Sequence, residues 1–215
     1  MLRDRIVAHR GNALEHRENS VAAIRSAIDL GVWFVEFDVQ MSSDKVPVLM
    51  HDACLLRMCG KDRDSVDMSA QGLKALGVEE LSDAISVLGE ATAFVEIKRD
   101  GIAKFGARAV VDRVCDICSP DRCVIISFDH QAALLARARG YQIGFVLTDL
   151  SPSSKEICDQ HRPEYVFIDQ KHVCSNVWPG FLWVSYEVAD KQMATRLMGY
   201  GVQLLETMRV RQLMQ

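Results

Sequence analysis

Polar side chains gather where short apolar runs of the sequence end, and their types point to metal chemistry. Glu36 and Asp38 lie in the run from Val32 to Val39, and Glu96 lies in a later run. Because side chains alternate along a strand, Glu36 and Asp38 share one face. Converging carboxylates repel one another unless a cation lies between them, and all-oxygen ligation favours a hard ion. These three residues therefore predict a site for Mg²⁺ or Ca²⁺.

Two histidines and two basic residues occupy comparable strand-end positions. His9 ends the first apolar run and Arg10 follows it, and His51 follows the third run. Lys98 shares a strand face with Glu96. An imidazole can act as general acid or general base near neutral pH, and the sequence leaves open which histidine takes which role. Since Arg10 and Lys98 suit phosphate oxygens, the combination favours chemistry on a phosphate diester.

The elements that must position these residues follow from nine apolar runs with strand character. They cover residues 5–9, 33–39, 46–50, 93–97, 122–127, 142–147, 165–168, 181–185 and 202–206. A parallel crossover needs about a dozen residues, so the run 46–50 is too close to its predecessor and is predicted to return antiparallel as a hairpin arm. Eight strands then alternate with helical patterns.

This alternation predicts an α/β fold, a compact TIM (β/α)₈ barrel in a single domain over residues 1–215. A doubly wound open sheet is the alternative, but no Gly-rich dinucleotide fingerprint follows the first strand. Catalytic groups of a barrel lie at the carboxyl ends of its strands. The polar strand ends described above are therefore expected to meet at one mouth.

Helical periodicity fills the intervals between the predicted strands. Val21, Ile24 and Ile28 have helical spacing and follow a capping residue at Asn19 or Ser20. Residues 132–138 are predicted to form a helix capped by Asp129, and residues 189, 193 and 197 mark another.

Composition and charge exclude several classes of protein. The chain has 215 residues, 49% of them apolar and 25% charged, with a formal net charge of −4. This composition excludes a disordered chain, and the sign of the charge argues against a nucleic-acid partner. No apolar run reaches the roughly 20 residues of a transmembrane span, and we expect a cytoplasmic protein. Its seven cysteines are expected to be reduced, and Cys115, Cys118 and Cys123 lack a fourth ligand at zinc-site spacing.

The polar motifs together resemble the glycerophosphodiester phosphodiesterase family, which belongs to the phospholipase C-like phosphodiesterase barrels. The resemblance runs from residue 5 to about residue 128 in six ordered motifs: His9-Arg10-Gly11, Glu18-Asn19-Ser20, Glu36-Phe37-Asp38-Val39, His51-Asp52, Glu96-Ile97-Lys98 and Ser127-Phe128. It implies hydrolysis of a glycerophosphodiester to sn-glycerol 3-phosphate and an alcohol. It also implies a set of roles: metal binding by Glu36, Asp38 and Glu96, acid–base catalysis by His9 and His51, and phosphate binding by Arg10 and Lys98.

The C-terminal half departs from the pattern of the family. Where the family usually has Trp-Thr-Val-Asn, the chain has Trp183-Val184-Ser185-Tyr186, and its last strand ends in Glu206-Thr207 instead of Thr-Asp. Trp183 and Phe128 are candidate pocket walls, with core packing as the alternative for Trp183. Glu206 either supports the site or is a solvated carboxylate.

Several further questions stay open at the level of sequence. Asp52 either orients His51 or caps the turn.

The substrate is expected to be a small-molecule glycerophosphodiester, with a lysophospholipid or another phosphodiester headgroup as the alternative. A barrel that binds a phosphate ligand without turnover is a third interpretation, which the pair of histidines argues against. The oligomeric state is open.

Overall fold

Nine β-strands join into one sheet in the computed structural model, which describes residues 2–215. In chain order the strands are β1 (Ile6–Ala8), β2 (Phe34–Met41), β3 (Pro47–Leu49), β4 (Thr92–Ile97), β5 (Cys123–Ser127), β6 (Gln142–Leu147), β7 (Tyr165–Asp169), β8 (Leu182–Tyr186) and β9 (Leu204–Thr207). Parallel pairing passes from β1 through β9, β8, β7, β6, β5 and β4 to β2. Because β1 also pairs with β2, the eight parallel strands close into a barrel. The predicted TIM barrel is confirmed and the open sheet is excluded.

The short strand β3 lies outside this parallel set. It pairs antiparallel with the end of β2, with Val39 opposite Leu49 and Met41 opposite Pro47. The hairpin arm expected after the second strand is therefore confirmed. It has a small apolar core of its own, formed by Val48, Met50, Leu55, Leu73 and Val78.

Helices occupy the intervals between the strands. They are α1 (Val21–Asp29), α2 (Leu56–Cys59), α3 (Ala70–Lys74), α4 (Leu81–Ile85), α5 (Arg99–Phe105), α6 (Ala107–Cys115), α7 (His130–Arg137), α8 (Pro152–His161), α9 (Lys191–Gly199) and α10 (Val210–Met214), with 3₁₀ turns at Leu2–Arg5, Ser65–Asp67 and Gln170–His172. The side chains of Ser20 and Asp129 cap α1 and α7, as predicted. Asp190 caps α9, so the predicted first residue of that helix, Ala189, precedes it.

Side-chain alternation divides the core into two layers. On β2 the outward side chains Val35, Phe37 and Val39 pack into the large core between sheet and helices. The inner layer, inside the barrel, consists of Val7, Phe94, Val124, Ile126, Val146, Phe167, Val184 and Leu204. Glu36 and Asp38 alternate with the outward residues and point inwards. The fold therefore delivers polar groups of β2 to the interior at one end of the barrel.

Two expectations from the sequence concern the cysteines, expected to be reduced, and the lack of a transmembrane span. All seven cysteines are free thiols, and Cys115, Cys118 and Cys123 belong to the large apolar core. Within residues 2–215, groups of side chains close enough to hold a metal ion occur at the barrel mouth and include no cysteine. In the same range no helix has both the length and the apolar character to cross a membrane.

Candidate active site

A cavity of about 130 Å³ opens at the carboxyl end of the barrel. It is lined by His9, Arg10, Asp38, His51, Glu96, Lys98, Ile126, Phe128, Val146, Phe167, Tyr186 and Glu206. Six of the seven residues expected to act in catalysis or in binding metal and phosphate line it, and the seventh, Glu36, lies within 4.8 Å of ligand atoms of that set. The structure thus brings all seven predicted residues together.

The turn after β1 sets the positions of His9 and Arg10. Arg10 and Gly11 both have left-handed backbone conformations, with φ of 55° and 77°. A Cβ atom on Gly11 would lie 2.6 Å from the backbone of Ala23, so only glycine lets the turn lie against α1. The Arg10 backbone N–H donates to Glu36 Oε2 at 3.0 Å. This contact ties the turn to the carboxylates of β2.

Three carboxylates meet at the bottom of the cavity. Oxygens of Glu36, Asp38 and Glu96 all lie within 4.8 Å of one another. Asn19 fixes Asp38 twice, because its amide donates to Asp38 Oδ2 at 2.8 Å and its oxygen accepts from the Asp38 backbone N–H at 2.9 Å. Glu36 is 1% exposed, and its Oε1 has no hydrogen-bond partner. A buried carboxylate oxygen without a partner is costly, and a cation would satisfy it.

The pKa values of these three carboxyl groups are shifted in different directions. Burial and the neighbouring Asp38 carboxylate raise the pKa of Glu36 and of Glu96. Burial also disfavours ionised Asp38, but Lys98 and Arg10 outweigh it and lower the pKa of Asp38. The donor set consists only of oxygen, and it is crowded with negative charge. It therefore fits a hard divalent cation.

Arg10 and Lys98 border the same carboxylates. Lys98 Nζ lies 3.2 Å from Asp38 Oδ1 and 2.8 Å from Glu96 Oε1. Arg10 Nε lies 3.2 Å from Asp38 Oδ2, and its guanidinium also donates to Glu18 at 3.0 Å. Both side chains line the cavity, which places two positive groups where an anionic ligand would enter.

His9 has a carboxylate near each ring nitrogen. Its Nδ1 is 2.7 Å from Glu187 Oε2, and its Nε2 is 3.2 Å from Glu206 Oε1 and 3.9 Å from Glu36 Oε2. Burial alone would lower the pKa of His9, but the acidic neighbours, first Glu206 and then Glu187, raise it to about 10. Glu206 is itself 3% exposed, and burial raises its pKa to about 7. Glu206 therefore contacts the site and is not a solvated carboxylate.

His51 lies in a different environment. Its Nδ1 is 2.7 Å from Asp52 Oδ1, so Asp52 orients this ring. Burial is the largest influence on His51 and lowers its pKa. The two imidazoles thus line one cavity with opposite electrostatic surroundings.

The aromatic residues at the mouth correct one expectation. Phe128 lines the cavity, but Trp183 does not. Trp183 is fully buried in the outer core, and its Nε1 donates to the Trp178 carbonyl at 2.8 Å. It faces outwards because its neighbour Val184 occupies the inner layer. The aromatic wall at the end of β8 is Tyr186, three residues later.

Sequence reasoning missed Tyr186 and Glu187. The predicted strand stopped at residue 185, whereas β8 runs to Tyr186. A search for polar residues directly after the true end of that strand would have found Glu187. The predicted strand end, one residue short, left both residues out of the predicted site.

Taken together, these groups can hold a divalent cation, bind an anion and move protons. Their position at the mouth of a (β/α)₈ barrel is typical of an enzyme that transforms phosphate compounds. The chain belongs to the glycerophosphoryl diester phosphodiesterase family, whose model matches residues 9–178.

Individual relatives match the chain over different lengths. Glycerophosphodiester phosphodiesterase 1 of Rattus norvegicus is 52% identical over 52 residues, which is 23% of this chain and 16% of that relative. The glycerophosphodiester phosphodiesterase of Caldanaerobacter subterraneus is 24% identical over 141 residues, 58% of each chain. The chain thus spans only a small part of the first of these relatives.

The fold has close counterparts among solved structures. A phosphodiesterase of Oleispira antarctica, solved in complex with the product sn-glycerol-3-phosphate, superposes with a TM-score of 0.83 and 20% identity. The superposition covers 98% of this chain and 96% of that one. At this level of identity, the likeness shows a shared fold.

Proposed function

We propose that the protein is a metal-dependent phosphodiesterase that hydrolyses glycerophosphodiesters to sn-glycerol 3-phosphate and an alcohol. This proposal rests mainly on one observation: three carboxylates, two imidazoles and the cationic side chains of Arg10 and Lys98 lie together at one cavity. Membership of the family supports it, as does the likeness to the Oleispira antarctica phosphodiesterase, which was solved in complex with the product sn-glycerol-3-phosphate.

Glu36, Asp38 and Glu96 would hold the metal, Mg²⁺ or Ca²⁺. When bound, such an ion polarises a phosphoryl oxygen and neutralises charge that develops there. Lys98 now donates to two of these carboxylates. With a cation sharing their negative charge, the Lys98 ammonium would be free to bind a phosphate together with Arg10.

His9 and His51 would supply acid–base catalysis. One imidazole takes the proton of the attacking hydroxyl or water, and the other protonates the departing alkoxide. Glu187 orients His9 through Nδ1 and Asp52 orients His51 through Nδ1. Nε2 of His51 is left for the reacting groups, whereas Nε2 of His9 lies 3.2 Å from Glu206 Oε1. A barrel that only bound phosphate would not need two imidazoles oriented in this way.

The cavity favours the deacylated diester over a lysophospholipid. Its volume of about 130 Å³ suits a small polar molecule, and an acyl chain would have to leave through the mouth. Charged side chains line one part of the cavity, while Ile126, Phe128, Val146 and Phe167 form an apolar wall. That wall can contact the alcohol portion of the substrate.

We also propose that residues 1–215 form a single domain and that the protein acts in the cytoplasm. The barrel takes strands from Ile6 to Thr207, which supports one domain. Seven free thiols suit a reducing compartment.

Turnover of sn-glycero-3-phosphoethanolamine, followed by phosphorus NMR, tests the proposed activity. We expect excess chelator to abolish turnover and Mg²⁺ or Ca²⁺ to restore it. Glu96→Gln should weaken metal activation, whereas Glu90→Gln, at a side chain that is 82% exposed and away from the cavity, should behave as wild type. Full turnover in chelator would exclude the metal, and no turnover with either ion would refute the activity.

A further inference from the structure

Arg57 connects two segments of the chain that carry site residues. Its Nε donates to Asp52 Oδ2 at 2.5 Å. Its Nη1 and Nη2 donate to the two oxygens of Glu18 at 3.0 and 2.6 Å. Glu18 belongs to the loop before α1, and Asp52 follows the hairpin strand β3. One guanidinium therefore joins the two loops through three hydrogen bonds.

Each carboxylate bound by Arg57 also holds a residue of the cavity. Asp52 uses its other oxygen, Oδ1, to accept from His51 Nδ1. Glu18 Oε1 accepts from the Arg10 guanidinium as well as from Arg57. The contacts form a continuous chain from His51 through Asp52, Arg57 and Glu18 to Arg10. The Arg10 end of this chain reaches the metal-binding carboxylates, since Arg10 Nε lies 3.2 Å from an oxygen of Asp38.

Arg57 itself does not reach the cavity. It is absent from the cavity lining, and its side chain is 48% exposed on α2. A half-exposed ion pair contributes little to stability by itself. Three hydrogen bonds, two of them a bidentate pair to Glu18, match the planar fork of arginine, because an ammonium offers a point charge in place of a bidentate donor. The arrangement is therefore suited to fixing geometry more than to strengthening the fold.

We propose that Arg57 is a positioning residue that fixes His51 through Asp52 and Arg10 through Glu18, so that the proton-transfer group and the phosphate-binding group keep one mutual geometry. The reaction it serves is the proposed phosphodiester hydrolysis, on which this inference rests. Without Arg57, the partly exposed Asp52 carboxylate is free to turn to solvent, and the His51 ring loses its fixed tautomer.

The test compares Arg57→Met, Arg57→Lys and a matched control, Arg139→Met. Arg139 likewise bridges two carboxylates on the surface, those of Asp112 and Asp116, at 2.9 and 2.7 Å. It lies away from the cavity. Thermal unfolding of the two Met variants should therefore change alike, and any difference in turnover measures the positioning effect alone.

We expect Arg57→Met to lower kcat by about 10–100-fold, the usual effect of losing a residue that orients a ligating or catalytic group. Inhibition by sn-glycerol 3-phosphate should weaken several-fold, because Arg10 is released too. Arg57→Lys should recover only part of kcat, and Arg139→Met should keep it. Wild-type kcat in Arg57→Met, or full recovery by lysine, would overturn the proposal.

A second measurement does not depend on activity. Nitrogen-15 NMR of the histidine rings, with His51 assigned by its loss in His51→Gln, reports which ring nitrogen carries the proton. We expect the Nδ1–H tautomer of neutral His51 in the wild-type protein and a mixture of tautomers in Arg57→Met. If the wild-type chain hydrolyses no glycerophosphodiester, the proposed function fails, yet this measurement still decides whether Arg57 fixes His51. An unchanged tautomer in Arg57→Met would refute the role of Arg57.

Discussion

His9 and His51 face one cavity with different partners, and both are expected to be needed for turnover. Replacing either by glutamine removes a positioned acid or base, so kcat should fall by about 10²–10⁴-fold while KM changes much less. Steady-state kinetics on a glycerophosphodiester provides the measurement. His16→Gln, at an exposed position, is the control and should keep wild-type turnover.

The double variant distinguishes a shared proton-transfer cycle from two independent effects. Because both imidazoles act in the same cycle, His9→Gln with His51→Gln should lose less than the product of the single losses. Near-normal turnover of either single variant would show that its assigned role is wrong.

Residue types and strand spacing were enough to predict most of the residues that meet at the candidate site. Glu36 and Asp38 share one face because side chains alternate along β2, and Glu96 lies opposite Asp38 on the neighbouring strand β4. Glu187 could not be found in this way, because the predicted strand end lay one residue short of Tyr186. The contacts of Arg57 with Glu18 join positions 39 residues apart, and no local pattern encodes them.

At the scale of elements, the packing around β6 predicts that a side chain at Gly144 will destabilise the fold. A Cβ atom there would lie 2.8 Å from Ile126 Cγ2 and 3.1 Å from the Phe167 ring, both of which line the cavity. Overpacking of this kind costs about 1–3 kcal/mol, so Gly144→Ala should lower the free energy of unfolding by that amount. Urea unfolding gives the measurement.

A glycine in open space supplies the comparison for Gly144. Gly199 ends α9, and no atom lies within 4 Å of a Cβ built there. Gly199→Ala should leave stability unchanged or raise it slightly, because alanine is the better helix former. Equal stability of the two alanine variants would contradict the packing argument.

The helix α8 carries a buried thiol that should make stability depend on alkaline pH. Burial raises the pKa of Cys158 to about 11, whereas an unfolded cysteine has a pKa near 8.5. Between these values the unfolded chain loses the proton and the folded chain keeps it. The folded state then binds more protons, so the free energy of unfolding falls as pH rises.

Urea unfolding at pH 8 and pH 10.5 measures this dependence. Cys158→Ala should reduce the loss of stability between the two pH values, while the exposed Cys174→Ala should not. Part of the loss should remain in Cys158→Ala, because burial also raises the pKa of Cys115 to about 11. The same loss in wild type and Cys158→Ala would contradict the expectation.

At the scale of the whole molecule, the sequence was enough to predict closure of the barrel. It was less informative about which side chains point into the barrel. Eight apolar runs separated by helical patterns leave few topologies, and the short interval before β3 required an antiparallel return. Which face of each strand turns inwards depends on register, and a shift of one residue reverses it. That dependence explains why Trp183 was a candidate for the pocket although it packs in the outer core.

Metal binding should stabilise the whole barrel, because the ligands come from β2 and β4 and their carboxylates repel one another without a cation. A ligand that binds only the folded state adds about 2.7 kcal/mol at one hundred times its Kd. For a chain of this size, that gain corresponds to a rise in Tm of roughly 5–10 °C. Differential scanning calorimetry in chelator, Mg²⁺ and Ca²⁺ gives the measurement.

Glu36→Gln provides the decisive variant for this linkage. The amide oxygen can still accept from the Arg10 backbone N–H, and the loss of a buried negative charge relieves repulsion with Asp38. The variant should therefore be at least as stable as wild type in chelator, yet gain little from either ion. Glu90→Gln, at an exposed carboxylate far from the site, should keep the full gain. An equal rise in Tm for Glu36→Gln and Glu90→Gln would show that the ions stabilise the barrel elsewhere, and the three carboxylates would then lose their assignment as ligands.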